Sequence, residues 1–134
     1  MLVGSWGSGA FRKHGHFDVV MYTTNPDVDP QSQVEGYFAS WSIPTAQTNG
    51  AGFNYARYTS PLVDAAIKKA ASSPDLDARR AAYCDAMHQL VADRPHIYLY
   101  DRSDMHAYRD RLQGWVQDVW ENLGWNAATW WVAR

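Results

Sequence analysis

Between Asn54 and Tyr100 the apolar residues recur at two different periods, and the change of period divides the stretch into two amphipathic helices and a strand. Leu62, Val63, Ala66, Ile67 and Ala70 share one helical face, while Lys68 and Lys69 fall toward the other side near the C-terminal end, where the helix dipole favours cations. Ser60 followed by Pro61 is a start signal, so the first helix is expected over residues 60–72. Ser73, Pro74, Asp75 and Asp77 open a second helix over residues 75–93, with Leu76, Tyr83, Ala86, Met87, Leu90 and Val91 as its apolar stripe. Pro95 stops that helix, and residues 96–101 predict a strand.

The flanking segments are less regular. Gly4, Gly7, Gly9 and Gly15 make residues 2–16 loop-like, with a short strand fitting Leu2 to Trp6. Residues 17–23 alternate as a strand, Val19 and Met21 on one face and Asp18, Val20 and Tyr22 on the other. A turn follows through Asn25, Pro26, Asp27, Asp29 and Pro30, then a short helix over residues 31–40 that uses Val34, Tyr37 and Phe38 despite Gly36. Residues 41–52 hold two Gly and a Pro among polar side chains and predict a surface loop. Residues 105–109 fit a strand or a turn of helix, and residues 125–132 a terminal segment.

A chain of 134 residues buries roughly two-thirds of its unfolded surface, enough for one core. The formal charge of −2 gives no reason to expect nucleic acid or an anionic membrane as partner. No apolar run reaches the roughly 18 residues of a membrane span. The single Cys84 has no internal disulfide partner and is expected as a small, partly buried helical side chain. Cys84 and His88 share i, i+4 spacing but lack an orienting third group, so no catalytic residue is assigned. His14, His16, His88, His96 and His106 are too scattered to specify a metal site, and no cofactor is expected.

Aromatic residues are abundant, with seven Trp and eight Tyr, and five of the Trp lie between Trp115 and Trp131. Such rings build cores and interfaces, or form a platform for a carbohydrate. If part of their packing comes from outside this chain, Trp115, Trp120, Trp125, Trp130 and Trp131 leave apolar surface uncovered and self-association is expected.

The order of these motifs resembles the C-terminal part of the family 5 extracellular solute-binding proteins, the peptide, oligopeptide and nickel receptors of ABC importers. The likeness is carried by Tyr58-Thr-Ser-Pro-Leu-Val-Asp64, by Asp77-Ala-Arg-Arg-Ala-Ala-Tyr83 and by Leu90-Val-Ala-Asp-Arg-Pro95. Gly15-His-Phe-Asp18-Val-Val-Met-Tyr22 is similar to the strand that leads into that family's ligand cleft, and Tyr108-Arg-Asp-Arg-Leu-Gln-Gly114-Trp-Val to its closing segment. The resemblance implies an α/β fold, the C-terminal portion of a periplasmic-binding-protein type II-like architecture, with a mixed sheet and packed helices. Residues 1–107 would then be part of the second large lobe, and residues 108–134 a segment returning toward the first. Family members are several-fold longer and carry an export signal, which Met1 to Trp6 lacks, so the chain is expected to correspond to a fragment of such a receptor.

The implied function is non-enzymatic capture of an extracellular solute, a peptide above all, for ABC permease and ATPase subunits, by a protein that is periplasmic or extracellular and membrane-associated at full length. The implied ligand-binding residues are Tyr22, Thr23, Thr24, Asn25 and Asp27. In the peptide receptors an aromatic followed three residues later by an aspartate places a carboxylate on the ligand's α-amino group. That aspartate corresponds to Asp27, while Thr24 stands where the ring would be. Asp27 also suits a plain turn beside Pro26. The alternative reading is a small carbohydrate-recognising or hydrolase module built on the Trp-rich C-terminus.

Overall fold

Asn54 is fully buried and makes the connections around which the first unit is arranged. The computed structural model describes residues 11–24, 27–101, 105–117 and 124–133. The chain divides between Ile97 and Tyr98 into two compact units.

In the first unit, α1 (Phe11–His14) is a single turn. It closes as a Schellman motif: Gly15 N–H donates to the Arg12 carbonyl, His16 N–H donates to the Phe11 carbonyl at 2.9 Å, and Gly15 takes φ +72°. Helix α2 (Pro30–Phe38) starts at Asp29, whose carboxylate accepts from Gln31 N–H at 2.9 Å, with Pro30 at the first position. Helix α3 (Pro61–Ser72) is capped by Ser60. Helix α4 (Leu76–Asp93) is capped by Asp75, which accepts from Ala78 N–H at 2.8 Å, and ends at Arg94 in the left-handed region, φ 50°. Pro95 follows, so the helix cannot continue.

The core joins α2, α3 and α4 through Val34, Phe38, Ala39, Val63, Ala66, Ile67, Ala86 and Leu90. The buried face of α4 is narrower than the predicted stripe: Ala82, Ala86 and Leu90 are inside, whereas Leu76, Met87 and Val91 are exposed. With Ala70, Ala82 and Ala86 all essentially inaccessible, the two long helices meet over small side chains, so the flanking large residues are left outside the contact. Leu62 is likewise exposed at the start of α3, and Cys84 is exposed, not partly buried.

The segment after α2 is more structured than a plain surface loop. Residues 40–42 form a 3-10 turn, Pro44 is fully buried, and Gly50 is buried. Gly52, at φ +107°, lets the chain pass so close to the Ser42 carbonyl that a Cβ would lie 2.1 Å from its oxygen. Asn54 then ties this loop down. Its N–H donates to the Ser42 carbonyl, and its side-chain amide donates to the Ala39 and Tyr58 carbonyls at 3.0 and 2.8 Å. Its Oδ1 accepts from Tyr58 N–H at 3.0 Å. Asp64 in the first turn of α3 adds a second tie, accepting from Ser40 N–H at 2.9 Å and from its hydroxyl.

Two expected strands do not form. Neither residues 17–23 nor residues 96–101 are strand, and the mixed sheet they were to share is not among the described residues. The alternation holds over residues 19–23, where Val20 and Tyr22 turn inward while Val19, Met21 and Thr23 are exposed, but it breaks before them, since Asp18 is exposed and Phe17 is half-buried. A period of two selects which side chains turn inward, but a ladder also needs a neighbouring backbone. Tyr22 and His96 instead meet through side chains, the phenol oxygen 3.2 Å from Nε2.

In the second unit, β1 (Leu112–Gln113) pairs antiparallel with β2 (Trp131–Val132), Leu112 opposite Val132. Gly114 at φ +78° follows β1, and its carbonyl accepts from Asn126 Nδ2 at 2.8 Å and Thr129 Oγ1 at 3.2 Å. Residues 105–109 are neither helix nor strand, and a 3-10 turn spans Ala127–Thr129. Trp125 and Trp131 are exposed, Trp115 and Trp130 half-buried, and Trp120 lies outside the described residues, as do residues 2–6. No helix among the described residues is long and apolar enough to cross a membrane.

Asn54→Ala removes three side-chain hydrogen bonds and strands two carbonyls and one N–H, so it should lower stability by about 2–4 kcal/mol. Urea unfolding followed by circular dichroism should show a lower midpoint with an unchanged slope.

Candidate functional site

Two tyrosine rings of the first unit, Tyr22 and Tyr55, meet at one arginine, Arg12. The Schellman turn after α1 holds Arg12 against the loop before α3, and the guanidinium carbon sits 4.2 Å from the Tyr55 ring centroid and 5.6 Å from that of Tyr22. Its Nη2 donates to the Tyr55 hydroxyl at 3.3 Å. Arg57 makes the return tie, Nη1 donating to the Lys13 carbonyl at 3.3 Å near the C-terminal end of α1. Arg57 itself takes φ 53°, a strained value for a residue with a side chain.

The rings extend outward from Arg12 in contact order. Tyr22 meets Tyr55 edge-on at 5.7 Å and stacks near Tyr37 at 6.3 Å. Phe53 contacts Tyr37 at 5.7 Å and Tyr55 at 6.3 Å. His96 lies 4.9 Å from Phe38, against the core, and edge-on to Tyr22 and Tyr37. Tyr55 is 4% exposed and forms the floor, whereas Phe53 is 54% exposed and forms the rim.

The charge balance of this cluster is one-sided. The ion pairs among the described residues are Arg79 with Asp29 and Arg80 with Asp77, so Arg12 has no carboxylate partner among them. Its Nε is buried without a hydrogen-bond acceptor. An unmet buried donor costs about 1–3 kcal/mol, which stacking on Tyr55 and Tyr22 offsets by about 1 kcal/mol. Burial holds the His96 ring below its usual pKa, so it is neutral at pH 7. Tyr37 is raised, first by burial and then by Tyr55, against a smaller opposing effect of Arg12. In the cluster around this cationic guanidinium, Tyr37 and His96 are therefore uncharged at pH 7.

Of the predicted ligand-binding residues, Tyr22 is part of this cluster. Thr23 and Thr24 are exposed, and Asn25 lies outside the described residues. Asp27 is exposed, and its carboxylate accepts from Val28 N–H at 2.9 Å and Ser32 Oγ at 2.7 Å, the local turn bonding that its place beside Pro26 suggested. Arg12, Phe53 and Tyr55 were not foreseen in this role. Arg12 was hidden by the glycine-rich composition around it, while Phe53 and Tyr55 flank the buried Asn54 with a period of two that could have been noticed.

Other candidates stay apart. His14 and His16 stack at 5.3 Å, and no group of three His, Cys, Asp or Glu among the described residues is placed to hold a metal ion. Cys84 and His88 are both exposed on α4. A second polar chain runs along the helices: Arg79 pairs with the Asp29 cap at 3.1 Å, Tyr83 donates to Gln31, and Trp41 Nε1 donates to Glu35 at 2.9 Å. It braces α2 against α4. Compared with models of known protein families, with curated proteins and with solved structures, the chain matches none.

Because protonation of His96 is disfavoured in the folded chain, the unfolded chain takes up that proton first as pH falls below the ordinary value of 6.5. His96 thus adds no penalty above about pH 6.5, and stability should decline from there down to its lower folded pKa. Urea midpoints across this window should fall in the native sequence, and His96→Gln should flatten the decline. An identical slope in the variant would assign it to other groups.

Proposed function

We propose that this chain is part of the solute-binding component of an ABC importer, similar to the family 5 extracellular solute-binding proteins. In this reading it supplies an α/β portion of a periplasmic-binding-protein type II-like lobe, and captures a peptide-like solute for a permease and ATPase pair without catalysing a reaction. The observation that carries the reading is the position of Tyr22, which the motif pattern marks as the entry to the ligand cleft. It is packed against Arg12, Tyr37, Tyr55 and His96, with Thr23, Thr24 and Asp27 exposed just beyond it.

Further support comes from the order of elements. The α3 and α4 pair occupies the residues that the motif pattern assigns to helices, and the chain after Pro95 comes back to Tyr22 through His96. Residues 17–23 and 96–101 carry exposed apolar side chains, Val19, Met21, Ile97 and Leu99, at the places where the family has sheet strands. In a complete lobe, neighbouring strands would cover them and supply the missing ladders. The competing carbohydrate-binding reading has its own observation, the exposed rings of Trp125 and Trp131 in the second unit.

Closure of two lobes supplies much of such a receptor's affinity by excluding water, so this chain by itself should bind tri-L-alanine at about millimolar strength. Backbone NMR titration should move the resonances of Tyr22, Thr23, Thr24 and Asp27. Asp27→Asn should weaken the tripeptide more than its N-acetylated form, because only the former carries an ammonium. Shifts confined to Trp125 and Trp131 on adding maltotriose, with none from the tripeptide, would replace this reading with the carbohydrate one.

A further inference from the structure

We infer that Arg12 is a carboxylate-binding subsite, with the Tyr22 and Tyr55 rings setting the plane of its guanidinium and the exposed Phe53 ring receiving the apolar group attached to that carboxylate. The placement rests on geometry. Guanidinium planes stack on tyrosine faces while their edges donate in plane, so a group held by ring contacts at 4.2 and 5.6 Å keeps its remaining edge fixed in direction. Among the described residues its hydrogen bonding is the single donation from Nη2 to Tyr55. No Asp or Glu among them neutralises it, and the buried Nε is left unmet.

Such an arrangement is unusual for an arginine that serves packing alone, because a structural guanidinium generally finds acceptors for its donors. Arg79 shows the contrast within the same unit, since it bonds both oxygens of Asp29 and lies 6.0 Å from the Tyr83 ring. Arg12 has the ring contacts without the carboxylate. A planar monoanion fits the vacancy in charge: one guanidinium matches one carboxylate in a bidentate fork, whereas a phosphate dianion calls for more positive charge than the neutral Tyr37 and His96 supply. Phe53, 54% exposed at the rim and in contact with Tyr55, gives an adjoining apolar surface.

The inference deepens the solute-binding reading and rests on it only in taking the anion to belong to the captured solute. The test uses benzoate, a planar carboxylate with an attached ring, and follows the Arg12 side-chain Nε–H signal and the Phe53 ring signals by NMR. Saturable, salt-sensitive shifts of both are expected in the native chain. Arg12→Gln should weaken benzoate at least tenfold, and Arg12→Lys, which keeps the charge but loses the planar fork, should weaken it by a smaller factor. Circular dichroism matching the native chain establishes that the variants are folded, and Phe53→Ala supplies an independent arm in which affinity falls while the Arg12 signal still responds. Absence of an Arg12 response to benzoate, or equal affinity in Arg12→Gln, overturns the inference. A benzoate response without any response to tri-L-alanine upholds the subsite and removes the peptide reading. Equal binding of tri-L-alanine and its C-terminal amide, with no benzoate response, does the reverse.

Discussion

The first unit depends on a buried primary amide. Asn54 satisfies both halves of its side chain on backbone groups from two directions, the Ala39 carbonyl behind α2 and the Tyr58 peptide groups ahead of α3. Because its own N–H also reaches Ser42, one residue fixes the exit of α2, the loop and the approach to α3 together. An apolar residue of similar volume would fill the space but leave three backbone groups unmet, so the position demands an amide rather than mere bulk. The flanking rings inherit this precision: Phe53 and Tyr55 project from either side of a point that cannot shift, and Arg12 is oriented on Tyr55 in turn.

Helices α3 and α4 were legible from the sequence because their signals are local. Ser60-Pro61, Asp75 and Pro95 mark boundaries by rules that involve only neighbouring residues, and the observed spans differ from the expected ones by a single residue at each start. The width of the α4 face was not legible. Which of Leu76, Ala82, Met87 and Val91 goes inside depends on how closely the partner helix approaches, and alanines at the contact draw it in. Residues 17–23 and 96–101 show the corresponding limit for strands: the alternation grouped Val20 and Tyr22 on one face together with Asp18, which is exposed, and pairing is a property of two segments that no single segment encodes.

The candidate site was half visible for a similar reason. Tyr22 stood out through the motif pattern, whereas Arg12 became meaningful only when a turn of helix and a left-handed glycine placed it over Tyr55. The paired arginine ties, Arg12 reaching to the 53–57 loop and Arg57 reaching back to α1, connect positions more than forty residues apart. No local rule predicts either one. Once made, they hold a cation in a cluster that also contains the uncharged Tyr37 and His96, and that combination of fixed charge and low polarity gives a single guanidinium more influence than it would have in water.

The short link between Ser72 and Leu76 has a kinetic meaning. Two helices joined by three residues close a small loop, and closing small loops is fast, so the α3 and α4 hairpin can assemble before distant parts of the chain are gathered. Helix α1 is the opposite case. A single turn is too short to persist by itself, and its stabilising contacts come from residues 55 and 57. Within the first unit, local closure therefore favours the α3 and α4 hairpin, whereas the position of the arginine at the candidate site depends on contacts that residues more than forty positions away must supply.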